Sequence, residues 1–162
     1  MKNRIGQGID VHQLEVGTPL IIGGVSIPFQ KGSKGNSDGD VLYHAIVDAI
    51  LGALAQGDIG QHFPSDNERW KNVNSRIFME HAQDLMQENG YTAVNIDATI
   101  ILQTPHISSY ISEMRKNIAS ILSISINVIS IKATTTDFLG FTGIGEGIAA
   151  TAVVLLSNSN GN

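Results

Sequence analysis

The fold is decided by the stretch DVLYHAIVDAILGALAQ, residues 40–56, whose pattern predicts one amphipathic helix. Its apolar residues recur at intervals of three and four, and Gly57 follows as a natural end. Ser37 or Asp38 is placed to cap the start of this helix. The same periodicity predicts two further helices, at about residues 74–89 and 108–123.

Strands are predicted where apolar residues alternate with a period of two, at residues 4–11, 20–27, 95–103, 128–133 and 148–156. The last segment also fits a helix, but its β-branched residues favour a strand. The Gly23-Gly24 pair suits a bulge or a turn. Since strands and helices alternate, we expect an α/β (α+β) fold with a single layered domain, in which a mixed β-sheet packs against helices on one face. This domain should span residues 1–157, and residues 158–162 should form a flexible tail.

The composition limits the kinds of site that the chain can build. Its 162 residues include no cysteine, so any transition metal must be held by His, Asp or Glu. A net charge of −5 with scattered cations gives no footprint for nucleic acid. No signal peptide and no bilayer-length apolar segment is evident, so we expect a cytoplasmic protein without a membrane partner. An anionic substrate would need metal ions and backbone N–H groups for its attraction.

A first candidate site combines a strand and the long helix. Asp10 and His12 are two residues apart on a strand, so their side chains should lie side by side. With His44 they form a two-His, one-carboxylate set, which is common for zinc with its fourth position open. Asp48 shares a helix face with His44 and is either a partner behind that ligand or simply its neighbour on the helix surface. The alternative is a strand-end Asp capping a loop beside a surface His.

Two further motifs could bind phosphate. The sequence KATTTD, residues 132–137, supplies three hydroxyls for phosphoryl oxygens and a carboxylate for magnesium or manganese. It also fits an ordinary Thr-rich strand end. The glycines of residues 140–147 would let backbone amides approach a ligand or a neighbouring subunit, although a tight structural turn explains them equally well.

Taken together, these segments resemble one family over about residues 4–156. The motifs are, in order, GIDVH (8–12), IGGVSIP (22–28), SDGDV (37–41), GDIG (57–60), FP (63–64), KATTT (132–136) and GFTG (140–143). They are similar to the 2-C-methyl-D-erythritol 2,4-cyclodiphosphate synthase family. The resemblance implies a metal-dependent phosphorus–oxygen lyase of the non-mevalonate isoprenoid pathway. Its members convert 4-diphosphocytidyl-2-C-methyl-D-erythritol 2-phosphate to the cyclic diphosphate and CMP, as homotrimers with active sites between subunits.

The resemblance also implies roles for individual residues. Zn²⁺ would be held by Asp10, His12 and His44, and Mg²⁺ or Mn²⁺ would be held by Asp137 with the substrate diphosphate. Asn36 and Thr135 would be catalytic, Asp58 and Gly60 would contact the ribose, and residues 102–108 would line the cytosine pocket. Asp40, Asp48 and Glu146 would have supporting roles. The full set of expected substrate contacts is Asp10, Val11, His12, Asn36, Ser37, Asp58, Ile59, Gly60, Phe63, Pro64, Ser65, Asp66, Asn67, Leu102, Gln103, Thr104, Pro105, His106, Ile107, Ser108, Thr134, Thr135, Thr136, Asp137, Phe141 and Ile144.

Three positions depart from the family pattern. Asn36 stands where a His is usual, Asp137 replaces a Glu, and Ile144 replaces an Arg or Lys. The changes at Asn36 and Ile144 remove positive charge from a phosphate site, and the change at Asp137 shortens a carboxylate side chain by one methylene group. They motivate a second hypothesis, a non-catalytic trimer that binds a nucleotide or prenyl phosphate. A third hypothesis is a zinc hydrolase in which water attacks.

Overall fold

The computed structural model describes residues 2–158, and its centre is a five-stranded mixed sheet. The sheet order is β4-β1-β7-β5-β6, in which only the β5–β6 pair is parallel. Two short strands, β2 and β3, form a separate hairpin. The strands are β1 (Lys2–Val16), β2 (Leu20–Ile22), β3 (Val25–Ile27), β4 (Lys31–Ser33), β5 (Thr92–Ile101), β6 (Ile129–Thr134) and β7 (Gly147–Asn158).

Within residues 2–158, three long and two single-turn α-helices accompany the sheet. They are α1 (Val41–Leu54), α2 (Ile59–His62), α3 (Arg76–Glu88), α4 (Ile111–Leu122) and α5 (Gly140–Gly143). The predicted α+β domain with one mixed sheet is confirmed. Asn158, expected to open the tail, is the last residue of β7, and the rest of that expected tail lies outside the described residues.

The differences from the predicted elements have simple physical causes. Residues 20–27 split into a hairpin because Gly23 and Gly24 both adopt positive φ, which makes a turn rather than a bulge. Strand β4 was not predicted because its residues show no alternation of apolar and polar side chains. Helices α2 and α5 were not predicted because they are too short to show a helical period. Helix α1 is buried on nearly every side rather than along one stripe, because it packs against both the sheet and α3.

Helix α1 lies directly against the backbone of β1. A Cβ atom at Gly8 would lie 2.0 Å from the carbonyl oxygen of Ala45, and one at Gly6 would lie 1.8 Å from that of Ala49. Glycine on the strand and alanine on the helix therefore allow a close approach that larger residues would prevent. The approach brings His44 of α1 beside the side chains of β1.

The opposite face of the sheet carries exposed apolar side chains. Ile5, Ile9 and Val11 of β1 are 72%, 61% and 48% exposed, and Val153 of the neighbouring β7 is 45% exposed. Among the described residues, no helix has the length and apolarity needed to cross a bilayer.

Candidate active site

Three predicted ligand side chains meet where β1 and α1 touch. Asp10 Oδ2 lies 2.8 Å from His12 Nε2 and 2.9 Å from His44 Nδ1. The two histidine nitrogens are 3.1 Å apart. The strand places Asp10 and His12 on one face, as their spacing predicts, and α1 adds His44. We call these three residues the metal cluster.

The donor set of the metal cluster fits a zinc ion. His12 Nδ1 lies 2.9 Å from the backbone oxygen of Lys34, which can only accept, so Nδ1–H donates and Nε2 of the neutral ring keeps a lone pair. One carboxylate and two imidazoles form a usual catalytic zinc set, whose ligand atoms in tetrahedral sites lie about 3.3 Å apart. The distances within the metal cluster are slightly shorter than this separation.

The metal cluster also has a defined electrostatic character. Burial tends to raise the pKa of Asp10, but the contacts with His12 and His44 outweigh it and hold the pKa well below its usual range. Burial tends to lower the pKa of His12, but the contact with Asp10 prevails and raises it. At neutral pH the cluster therefore presents an ionised carboxylate that favours a cation.

Asp40, rather than Ser37 or Asp38, caps helix α1. Its Oδ1 accepts hydrogen bonds from the backbone N–H of Tyr43 at 3.1 Å and of Gly23 at 2.9 Å. Its Oδ2 accepts from Gly24 N–H at 2.7 Å. Burial raises the pKa of Asp40 to about 6, although these three N–H groups oppose the shift. Asp40 therefore joins the β2–β3 hairpin to the start of the helix that carries His44.

Asp48 forms a hydrogen bond with the backbone that follows helix α1. Its Oδ1 accepts the backbone N–H of Ile59 at 2.7 Å, so it supports helix α2 rather than the ring of His44. Asp58 caps the same helix by accepting the N–H of Gln61 at 3.0 Å. Hydrogen bonds from Gln61 also lower the pKa of Asp58, which is fully exposed. The two carboxylates hold the segment in which ribose contacts are expected.

A cavity of about 560 Å³ opens beside the metal cluster. It gathers most of the substrate contacts expected in the first half of the chain. Asn67 does not line it, because its side chain accepts the N–H of Arg69 at 3.0 Å and caps a short turn. The lining residues are His12, Asn36, Ser37, His44, Ile59, Gly60, Phe63, Pro64, Ser65, Asp66, Trp70 and Phe78.

Two aromatic residues of this cavity were not predicted. Phe63 packs between Trp70 and Phe78, with ring centroids 4.9 Å and 4.5 Å away. Trp70 is an isolated aromatic residue in a polar segment, and this pattern could have indicated a binding site. Phe78 could not be recognised in this way, because it has the spacing of an ordinary core residue of α3. Both give the cavity an apolar wall.

Several of the remaining expected contacts line a second cavity of the chain. A separate cavity of about 330 Å³ is lined by Leu102, Pro105, His106, Ile107, Ser108, Ala133, Thr134 and Thr135. Gln103 turns to a structural role, since its Oε1 accepts the N–H of Phe138 at 3.2 Å. Thr104 does not line this cavity. The structure therefore brings the expected cytosine and threonine residues together, but in a cavity distinct from the one beside the metal cluster.

The segment Thr134–Ile144, which we call the phosphate loop, is exposed around residues 137–141 and bonded mainly to itself, whereas Thr142 is buried. Thr136 donates its hydroxyl to the backbone oxygen of Leu139 at 2.6 Å, and Thr135 donates to Asp137 at 3.5 Å. Asp137 adopts a φ of 50°, an uncommon conformation that glycine favours. Ile144 is 63% exposed.

Phe141 and Val11 line a third cavity, of about 480 Å³, together with Glu146 and His12. Lys31 reaches the same region and donates to the backbone oxygen of Gly145 at 2.9 Å. Glu146 therefore lies beside a cavity that His12 of the metal cluster also lines.

The comparisons with known proteins agree with this geometry. The YgbB family model matches residues 3–157. A curated relative from Geobacillus kaustophilus (strain HTA426), named 2-C-methyl-D-erythritol 2,4-cyclodiphosphate synthase, is 56% identical over 156 residues, which cover 96% of this chain and 99% of the relative. A relative of the same name from Bacillus pumilus (strain SAFR-032) is 54% identical and covers 94% of this chain.

Solved structures show the same fold. A structure described as an IspF CDP complex from Plasmodium falciparum has a TM-score of 0.87 and 39% identity, covering 98% of this chain and 97% of that chain. The bifunctional IspDF from Campylobacter jejuni has a TM-score of 0.92 and 41% identity, and the match covers 96% of this chain but 42% of that chain. The predicted function, a 2-C-methyl-D-erythritol 2,4-cyclodiphosphate synthase, is confirmed by these relatives, and the chain belongs to the YgbB family.

Proposed function

We propose that this chain converts 4-diphosphocytidyl-2-C-methyl-D-erythritol 2-phosphate to the cyclic 2,4-diphosphate and CMP, in a site that depends on the metal cluster. The observation that carries the proposal is the meeting of Asp10, His12 and His44 at the edge of a cavity that also contains Asn36 and Gly60. A bound Zn²⁺ would act there as a Lewis acid on a phosphoryl oxygen.

The reaction needs orientation more than it needs a base. The 2-phosphate of the substrate is already ionised, so its oxygen can attack the β-phosphorus without losing a proton. The new P–O bond closes the ring, and the bond from the β-phosphorus to the bridging oxygen breaks, so that CMP leaves with that oxygen. Holding the reacting groups together can contribute up to about 7–11 kcal/mol. In this chain, Asn36 would donate a hydrogen bond to the attacking phosphate.

Different parts of the chain would hold different parts of the substrate. The segment from Asp58 to Gly60, fixed by Asp48, would contact the ribose. The cavity formed by residues 102–108 with Thr134 and Thr135 would receive the cytosine and the adjoining phosphate. Asp137 would hold Mg²⁺ or Mn²⁺ with the diphosphate, because a carboxylate is the ligand type that these ions prefer. Its exposure leaves it accessible to such a complex.

A homotrimer would combine these parts. The metal cluster and the proposed cytosine pocket line separate cavities of one chain, so a single substrate would reach both if the pocket came from a neighbouring copy. The exposed apolar side chains of Ile5, Ile9 and Val153 offer a surface on which copies could pack. We therefore propose active sites between subunits. The cytoplasmic location expected from the sequence stays a prediction.

The test is a product assay with the cytidylyl substrate, Zn²⁺ and Mg²⁺. Release of CMP with a cyclic product, identified by phosphorus NMR, would support the proposal. A linear product would indicate a hydrolase. Binding of the substrate without CMP release would favour a non-catalytic trimer, the hypothesis that the changes at Asn36, Asp137 and Ile144 motivate.

A further inference from the structure

The ring of His44 contacts a second residue, Ser75, which belongs to none of the sequence motifs. Its Nδ1 faces Asp10, and its Nε2 lies 2.8 Å from the hydroxyl oxygen of Ser75. A neutral imidazole carries a proton on one nitrogen and a lone pair on the other. Whichever group fixes the proton of His44 therefore decides whether Nδ1 offers a lone pair to a metal ion.

Ser75 is placed unusually for a serine at a helix start. It is fully buried and directly precedes α3, where a serine side chain ordinarily accepts an N–H of the first turn. Here the side chain makes no such bond, and the residue already has helical backbone angles. Its hydroxyl is directed to Asp38 and to His44 instead. Helix α3 therefore has no side-chain cap at Ser75, and the Ser75 hydroxyl is available to the ring of His44.

Asp38 holds Ser75 at two points. One carboxylate oxygen accepts the hydroxyl of Ser75, and the other accepts its backbone N–H at 3.0 Å. The carboxylate is itself fixed, since Oδ1 also accepts the N–H of Asp40 at 3.2 Å. An ionised carboxylate only accepts hydrogen bonds, so it takes the single hydroxyl proton of Ser75. The lone pairs of Ser75 are then left for other donors.

The contacts of Ser37 are consistent with a Ser75 hydroxyl that donates to Asp38. Its hydroxyl oxygen accepts the N–H of Gly39 at 3.3 Å and lies 3.2 Å from that of Ser75, to which it can donate. With its proton committed to Asp38, Ser75 can only accept from His44 Nε2–H. The chain of hydrogen bonds thus runs from His44 through Ser75 to Asp38.

We propose that Ser75 is a positioning residue that holds His44 as the Nε2–H tautomer, with the lone pair of Nδ1 directed at the metal cluster, and that Asp38 sets the direction of this bond. The proposal rests on the proposed metal role of His44 only for its consequence, which is tighter metal binding. Partners behind a metal ligand commonly change metal affinity about 10–100-fold.

The first experiment is a zinc competition titration of Ser75→Ala against a chelator. Without Ser75, the Nε2–H of His44 would keep only the longer contact with the Ser37 hydroxyl, at 3.2 Å, so the proton should move to Nδ1 and bond to Asp10, 2.9 Å away. We expect the affinity for Zn²⁺ to fall about 10–100-fold. Ser75→Thr, which keeps the hydroxyl, should recover most of it. Ser37→Ala is the comparison variant, since it removes the other hydroxyl that contacts His44 Nε2, at 3.2 Å, but leaves the link from Ser75 to Asp38 in place. It should lower the affinity less than Ser75→Ala does.

The second experiment is nitrogen-15 NMR of the histidines in metal-free protein, which reports the tautomer without any metal. His44 should carry its proton on Nε2 in the wild type and in Ser37→Ala, and on Nδ1 in Ser75→Ala. If Ser75→Ala does not fold, Asp38→Asn decides, because an amide can also donate and should give a mixture of tautomers. An Nε2–H tautomer retained in Ser75→Ala, or an Nδ1–H tautomer in the wild type, would overturn the proposal. If instead His44→Ala bound Zn²⁺ as well as the wild type, the proposed metal role would fail while the tautomer result still stood.

Discussion

The metal cluster and the phosphate loop differ in how firmly one chain holds them. Behind the metal cluster, Asp40 accepts three backbone N–H groups and Ser75 is fully buried. The phosphate loop has Phe138 74% exposed, and its threonines bond mostly to one another and to nearby backbone. The metal cluster, one half of the proposed active site, is therefore preorganised within a chain, whereas the phosphate loop, which would belong to the other half, is open to a partner or a ligand.

The largest expected effect is on the preorganised half. His44→Ala removes a ligand from the metal cluster, and losing several kcal/mol of charge stabilisation should lower turnover by at least about a thousandfold. Metal analysis should show zinc loss in the same variant. His81→Ala is the control, because it removes a half-buried histidine outside the cluster. Equal zinc content in His44→Ala and the wild type would contradict a cluster built on this residue.

The close contact of β1 and α1 should be sensitive to a single methyl group. Gly8→Ala would place its Cβ 2.0 Å from the oxygen of Ala45, so the helix must shift. We expect the free energy of unfolding to fall by about 1–3 kcal/mol, measured by urea denaturation. In Gly52→Ala the new Cβ would meet nothing nearer than 3.9 Å, and helix propensity should raise stability by up to about 1 kcal/mol. Similar effects of the two substitutions would show that the close approach is not a constraint.

The pH dependence of stability should report the buried carboxylate of Asp40. Its pKa is about 6 in the folded chain against an ordinary value of 3.8, so the folded state binds this proton more tightly. Its contribution to the free energy of unfolding should therefore fall as pH rises from 3.8 to about 6 and stay constant above that range. The slope contributed is at most about 1.4 kcal/mol per pH unit. Urea titrations of Asp40→Asn between these pH values should lack this component, and an unchanged slope would refute the assignment.

The smallest expected effect concerns Asn36, which lines the cavity beside the metal cluster. A histidine there could donate a charge-assisted hydrogen bond, about twice as strong as a neutral one, to the attacking phosphate. Asn36→His should therefore raise turnover several-fold, measured as CMP release at saturating substrate. An unchanged or lower rate would mean that Asn36 does not reach the reacting phosphate.

Sequence reasoning succeeded where a period or a spacing encodes geometry. The two-residue spacing of Asp10 and His12 fixed their common face, and the long helix placed His44 beside them. It did not anticipate the contact of Asp48 with α2, because a shared helix face does not reveal that Ile59 supplies a donor. The role of Ser75 was hidden because a serine before a helix has the pattern of an ordinary cap.

The separation of the expected contacts into two cavities of one chain could not be derived from the residues alone, although the family resemblance implies active sites between subunits. Motifs order residues along the chain, but they do not state which copy of the chain supplies each one. That Thr135 lies with Ile107 rather than with His12 follows from the parallel pairing of β5 and β6, which places the ends of both strands together. This arrangement is long-range and leaves no local pattern.

The central claim, that one active site uses two subunits, is tested most directly by complementation. His44→Ala disables the metal cluster, and Ala133→Trp should fill the proposed cytosine pocket of about 330 Å³. Each variant alone should be inactive while keeping the oligomeric state of the wild type, checked by size-exclusion chromatography.

When the two variants are refolded or co-expressed in equal amounts, half of the metal clusters and half of the pockets are intact. Random assembly should then restore about one quarter of wild-type CMP release, because a working site needs an intact half from each of two neighbours. A mixture that assembles into mixed trimers yet stays inactive would contradict the account, since it would place the whole site within one chain.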